Sequence, residues 1–418
     1  MDLLYRSVEI ILENQDASGA YAACPTFPTY HYCWFRDASY VAYAMDLAGC
    51  SDSAARYHDW AVHTILTHRA VVRRGLKKLE RGLLPELGEY IHTRYHLDGS
   101  AETDGEWPNF QLDGIGTWLW SLSEHLRLTG RSLTDEQRQA IELCVDYLVA
   151  LWDRPCYDCW EERPDRLHTY TLSALYRGLA CFAEVRPVVP DVLSRIEAAV
   201  RMRAVRGDHF IKDLDGEDAV DGNLVAVALP NCLVDPSDPI MHATIARIES
   251  DLRKNGSGVH RYAADTYYGG GEWILLTAWL GWYYAQVGER DRARQLLAWV
   301  EAQADHRGDL PEQIAVNLNQ PAYLNKWRER WGENARPLLW SHAAYIILRH
   351  ALNRSVETQI KAYPHGRQSS EGASTCWPSS TINTSHPATP SPSHPSCRRP
   401  GTTSALEYRL RTATCTSR

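Results

Sequence analysis

Long apolar runs are missing from this chain. Its first segment, "MDLLYRSVEIILENQD", interrupts an apolar pattern with Asp2, Glu9 and Glu13, and no stretch approaches the roughly 20 apolar residues that span a bilayer. Neither a membrane span nor a signal peptide is expected. No basic run interrupts the part expected to fold, and with Lys+Arg 44 against Asp+Glu 52 the formal net charge is −8. That balance argues against nucleic acid and anionic membranes as partners and favours a neutral substrate. The 11 cysteines are an odd number without pattern, which excludes a disulfide framework. Cys156 and Cys159 form a lone C-x-x-C without a second pair or a histidine partner, too little for a zinc or redox centre. Reduced thiols and a cytoplasmic location follow as expectations. Phenylalanine is also scarce, 5 residues against 15 Trp and 22 Tyr. Flat rings that carry an N–H or O–H can stack on a sugar face and hydrogen-bond its rim; packing in the core is the competing explanation for each single ring.

What the chain does have is helical periodicity. Residues 2 to 14 read as a first helix, and a second runs from near Asp37 to Gly49. Ser51 is placed to cap a third, with Tyr57, Trp60, Ala61 and Thr64 on one face. Trp118 to Leu128 ends at Gly130, and Thr134 with Gln137 reads as a capping box for a helix to Leu151. Trp273 to Gln286 stops at Gly288 and restarts through Asp291. The segments "DLAGCSDSAARY", "RLTGRSLTDEQR" and "AQVGERDRARQL" therefore share one design of helix, glycine stop, polar linker and helix. Further helices are signalled at Asp238 with Pro239 in its first turn, and from Pro337 to Leu352. About a dozen helices with few strand signals, joined by alternating short turns and long loops, predict an all-α toroid of helical hairpins.

Aromatic and acidic residues gather in the long loops, Ala22 to Arg36, Arg94 to Asp113, Cys156 to Thr169, Asn255 to Glu272 and Asp309 to Arg336. Function is expected where such loops collect at one end of a rigid scaffold. A catalytic domain over 1–355 is expected to be followed by a tail, 356–418, whose Ser/Thr/Pro/Arg-rich composition marks either disorder or the product of a reading-frame slip.

Within the loop "YDCWEERPDRLHTY", Glu161 and Glu162 are adjacent carboxylates beside Trp160. Mutual repulsion and an indole wall push at least one toward its protonated form, as a general acid requires. Paired acids ahead of a helix also complement its dipole, which is the simpler explanation.

Six stretches together resemble glycoside hydrolase family 15, the glucoamylase-like family: "YHYCWFRDASY", "NFQLDGIGTWLW", "YDCWEE", "HRYAADTYYGGGEW", "LPEQ" and "PLLWSHAAY", in the family's order. The resemblance implies an (α/α)6 toroid with the active site at the mouth formed by one set of loops. It implies Glu161 as the general acid and Glu312 as the general base. In an inverting enzyme the two carboxyls stand roughly 6.5–9.5 Å apart to admit a water. Arg36, Asp37 and Arg261 resemble the family's grip on the terminal glucose. Tyr30, Trp34, Trp160 and Trp340 would form stacking walls, Glu162 and Gln313 would hydrogen-bond the sugar, and Trp107 and Asp113 would reach a second sugar or shape their loop.

The first toroid helix is expected at about Asp2, without the β-sandwich that commonly precedes the catalytic domain in bacterial members. This layout resembles the stand-alone isomaltose glucohydrolases of the family. The expected activity is thus an exo-acting, inverting α-glucosidase on short α-gluco-oligosaccharides, α-1,6-linked first, without metal or organic cofactor. An α-1,4 glucoamylase or a trehalase on the same fold is the near alternative. A non-catalytic sugar-binding or regulatory module is the distant one, disfavoured because both candidate acids are kept.

Overall fold

The structure, a computed structural model, describes residues 2–102 and 107–353. The 356–418 segment expected as a tail lies outside the described residues. The chain proceeds in outer–inner pairs: α1 (Leu3–Glu13) and α2 (Phe35–Leu47), α3 (Ser51–Glu80) and α4 (Asp113–Thr129), α5 (Asp135–Leu151) and α6 (Thr169–Cys181). Next come α7 (Val189–Arg203) with a 3-10 helix, Gly222–Val227, then α8 (Pro239–Leu252) and α9 (Ile274–Gln286). Finally α10 (Arg290–Glu301) is followed by a short α11 (Ala322–Trp331) and by α12 (Leu339–Asn353).

Burial separates the two rings. Every residue of α9 is buried, as are most of α2 and α12, and helices apolar all round belong inside. α10 buries only the stripe Ala293, Leu296, Leu297 and Val300, and α7 only Val189, Val192, Ile196 and Val200, so both lie outside. Within the inner ring α2 packs between α4 and α12, α4 against α6, the 3-10 helix between α6 and α9, and α9 against α12, which closes the circle. This is the expected (α/α)6 toroid, with one inner position filled by six residues of 3-10 helix instead of an α-helix. The tightest inner crossing, α4 on α6, depends on two glycines. A Cβ on Gly116 would stand 2.5 Å from the carbonyl oxygen of Ala174, and one on Gly178 2.5 Å from that of Gly116.

Local signals set several boundaries as expected. The Thr134–Gln137 capping box forms, Gly130 ends α4 at φ +68°, and Asp2 and Asp238 cap α1 and α8. Ser51 is the first residue of α3 and does not cap it, α2 starts two residues before Asp37, and α7 and α11 were not anticipated. α3 also carries a basic stretch that composition alone concealed, Arg69, Arg73, Arg74, Lys77 and Lys78, partly paired with Glu86 and Glu89. Among the described residues no helix is long and apolar enough to cross a membrane.

Inner helices are joined to the next outer helix by short turns, whereas the long loops all run from outer to inner elements. They therefore collect above the N-termini of the inner ring. Short antiparallel strands tie them together: Trp34 pairs with Arg94, and Trp273 pairs with both Val259 and Gln313. The ends of the ring are joined as well. The Leu339 N–H donates to the Ala23 carbonyl at 3.0 Å, and His342 Nδ1 lies 2.9 Å from the Ser7 hydroxyl.

Candidate active site

The loops enclose a cavity of about 320 Å³, within the range of small-ligand sites. Of the residues singled out in the sequence, Tyr30, Trp34, Arg36, Asp37, Trp107, Trp160, Glu161, Glu162, Arg261, Glu312 and Trp340 all line it. Asp113 and Gln313 do not. Asp113 is fully buried behind Arg36, 3.3 Å from its Nη1, and Gln313 faces away, its Oε1 accepting from the Gly271 N–H at 3.0 Å. Both support the wall and neither reaches its surface.

Glu161 does not sit in the first turn of a helix, since α6 begins only at Thr169. It occupies a tight turn at φ +64°, a conformation that costs a non-glycine residue about 1–3 kcal/mol and persists only where neighbours enforce it. Asp158 enforces it: Oδ1 accepts from the backbone N–H groups of Trp160 and Glu162, each at 2.9 Å, and its carbonyl accepts from the Glu161 N–H at 2.9 Å. The other carboxylate oxygen of Asp158 is 3.1 Å from Lys212 Nζ, which is also 3.1 Å from Asp221; Asp221 in turn accepts from Trp160 Nε1 at 2.9 Å. A buried Asp–Lys–Asp group thus holds the turn from below.

The Glu161 Oε1 accepts the Trp34 indole N–H at 2.7 Å and lies 3.8 Å from Arg36 Nη2. Burial outweighs both contacts and pushes this carboxyl up to about 7. Glu312, on the same cavity and 4% exposed, accepts from the Tyr267 hydroxyl at 3.0 Å, and Tyr267 contacts the Tyr30 hydroxyl at 2.8 Å. Burial again prevails over the Tyr267 bond and the Arg261 charge, and Glu312 is likewise pushed up to about 7. Two carboxyls able to hold or release a proton near neutrality therefore face one cavity.

Two arginines organise the remaining polar wall. Arg36 is a single cation among Asp37 at 3.2 Å, Asp113 at 3.3 Å and Glu161 at 3.8 Å, and Asp37 is raised to about 6, chiefly by burial. Its guanidinium lies over Trp340, 5.3 Å from the ring centre. Arg261 pairs with Asp265 and with Glu162 at 3.3 Å inside a cage of Trp160, Tyr262, Tyr267 and Trp273. A third arginine, Arg94, is bidentate to Glu102 at 2.7 and 2.8 Å and lies over Trp107 at 3.7 Å, stiffening the wall beside Trp34. Charged, bidentate partners and aromatic faces in one cavity suit a polyhydroxylated ring. Among the described residues no group of three or more His, Cys, Asp or Glu is arranged to hold a metal; Cys159 is part of the cavity wall.

Sequence reasoning passed over Asp158, Lys212, Asp221, Tyr267, Trp273 and Arg94. Tyr267 and Trp273 lay inside a quoted motif, and an acid three residues ahead of Glu161 was a usable signal for a turn. Lys212 and Asp221 carry no local sign of their role.

Comparison with known proteins gives a consistent set. The family model described as "Glycosyl hydrolases family 15" matches residues 1–313. The isomaltose glucohydrolase of Kribbella flavida is 42% identical over 360 residues, 84% of this chain and 92% of that one. A solved glycosidase variant in complex with glucose is 42% identical with a TM-score of 0.81, over 84% of this chain and 96% of that chain. A bacterial glucoamylase solved with acarbose, 19% identical with a TM-score of 0.65 over 87% of this chain and 57% of that one, shares the fold.

Proposed function

Because the chain belongs to glycosyl hydrolases family 15 and is a glycoside hydrolase, we propose that it is an exo-acting, inverting α-glucosidase, cutting short α-glucosides from the non-reducing end with release of β-glucose. The observation that carries this reading is a pair of carboxyls, the half-buried Glu161 and the buried Glu312, each raised to about 7 on one cavity. In this mechanism Glu161 gives its proton to the glycosidic oxygen as the bond to the anomeric carbon breaks. Glu312 takes a proton from the water that attacks the opposite face, so the anomeric configuration inverts. With Oε1 of Glu161 accepting from Trp34, Oε2 is left to carry the transferred proton; with Oε2 of Glu312 accepting from Tyr267, Oε1 is left to receive the proton of water. Arg36 and Asp37 at the N-terminus of α2, with Arg261 and Glu162, would hold the hydroxyls of the terminal glucose.

We assign isomaltose and isomalto-oligosaccharides as first substrates, on the strength of the 42% identity to an isomaltose glucohydrolase. We assign the catalytic domain to 1–355. A cytoplasmic site of action is part of the proposal.

The test is proton NMR of fresh enzyme with isomaltose, maltose and trehalose in parallel. Early β-glucose, fastest from isomaltose, is expected. Early α-glucose would overturn the inverting pair, and a faster reaction with maltose or trehalose would overturn the linkage. Glu161→Gln and Glu312→Gln should each lose about 10²–10⁴ of the rate, and full activity in either would remove it from the mechanism.

A further inference from the structure

α11 is an anomaly in the toroid. None of its ten residues is buried, so no core requirement accounts for it. Yet it repeats an aromatic at every fourth position, Tyr323, Trp327 and Trp331, which places all three along one helix face. Two of them, Trp327 and Trp331, line the same cavity as Glu161 and Glu312.

These rings continue a path that begins at the candidate base. Tyr267 donates to Glu312 at 3.0 Å, the Tyr267 ring meets Trp327 edge-on at 4.8 Å, and Trp327 lies beside Trp331 at 6.3 Å with planes only 25° apart. Exposure rises along the path from 4% at Glu312 to 40% at Trp331. The inner end is fixed: Trp327 Nε1 donates to the Thr266 carbonyl at 3.0 Å, and Arg328 pairs with Glu333 at 3.0 Å beside Tyr268. Two indoles with planes 25° from parallel, held by their own helix and leading outward from a sugar-sized cavity, form a preorganised stacking surface that loses little freedom when a ligand arrives.

We propose that Trp327 and Trp331 form the binding platform for the leaving-group side of the substrate, one to two sugar residues beyond the bond that is cut. Glu333 and Asn334 lie on the same rim. The occupant is the substrate and not a protein partner, because the indoles are continuous with the cavity that holds both carboxyls. On this basis the enzyme gains affinity with chain length, and α11 is the element that sets that gain. The inference rests on the α-glucosidase reading.

The experiment compares kcat/KM for isomaltose, isomaltotriose and isomaltotetraose in the unaltered enzyme, Trp331→Ala and Trp331→Phe. In Trp331→Ala the ratio of kcat/KM for isomaltotetraose to that for isomaltose is expected to fall about tenfold, through KM, and Trp331→Phe should restore most of it. An unchanged ratio in Trp331→Ala, or a loss carried by kcat alone, overturns the platform. If the unaltered enzyme cleaves none of the three sugars, the α-1,6 assignment fails, and silence on maltose and trehalose as well overturns the α-glucosidase reading. Tryptophan fluorescence titration with isomaltotetraose then decides the platform separately: weaker binding in Trp331→Ala supports it, and equal binding overturns it.

Discussion

Trp34 and Glu161, 127 residues apart in sequence, are joined by an indole N–H···Oε1 hydrogen bond of 2.7 Å. The bond favours the carboxylate form, while burial favours the neutral acid and prevails. The protonation of Glu161 is therefore a balance that one donor can tilt.

Removing that donor should shift the balance predictably. In Trp34→Phe the Glu161 anion loses a hydrogen bond, its pKa rises further, and the alkaline limb of the kcat/KM profile is expected to move up by about one pH unit. An alkaline limb that stays in place would assign that limb to another group.

Stability should respond to Glu312 in the opposite sense from activity. Its folded pKa, about 7, lies above the ordinary value of 4.5, so the neutral form is favoured in the fold. The associated stability is complete below about pH 4.5, declines as pH rises, and is lost above pH 7. Glu312→Gln, which mimics the neutral form, is expected to gain about 2–3 kcal/mol at pH 8.5 and nothing at pH 4.5. Urea denaturation at the two pH values checks this, and an equal effect at both would refute the buried charge.

Lys212 lies between the buried Asp158 and Asp221, 3.1 Å from each. Lys212→Met leaves two uncompensated carboxylates beneath the Glu161 turn, and a loss of about 3–5 kcal/mol is expected. In urea, a loss below about 1 kcal/mol would show that the group is not acting as a buried ion pair. Because the strained φ of Glu161 depends on Asp158, kcat should fall as well, which a stability defect elsewhere would not require.

Gly116 tests the ring itself. A methyl at this position meets the Ala174 carbonyl well inside contact distance, so α4 and α6 must separate. Gly116→Ala is expected to destabilise by about 1–3 kcal/mol, or more if the helices cannot yield. Thermal melting provides the check, and an unchanged Tm would contradict the close crossing.

The elements legible in the sequence are those whose signals are local. Gly130, the Thr134–Gln137 box and Asp238 with Pro239 mark helix ends through their own side chains and backbone, so their positions held in the structure. The 3-10 helix Gly222–Val227 was invisible because its six residues are defined by what α6 and α9 leave between them. For the site, adjacency drew attention to Glu161 and Glu162, yet the turn that presents Glu161 depends on Asp158, and Asp158 depends on Lys212, more than fifty residues away. Gln313 shows the reverse limit. Its neighbour Glu312 faces the cavity, whereas the Gln313 side chain turns to the Gly271 N–H.

Closure of the ring by α12 also sets a timetable. Trp340, the seat of Arg36 and the contacts of Ala23 and Ser7 all come from the last helix of the toroid, whereas their partners lie in its first 36 residues. On the ribosome the chain must carry an open arc of hairpins, with α2 and α9 each lacking a buried neighbour, until this helix emerges. Both candidate acids precede Trp340 in the chain, so the cavity they face is completed only once α12 has been made.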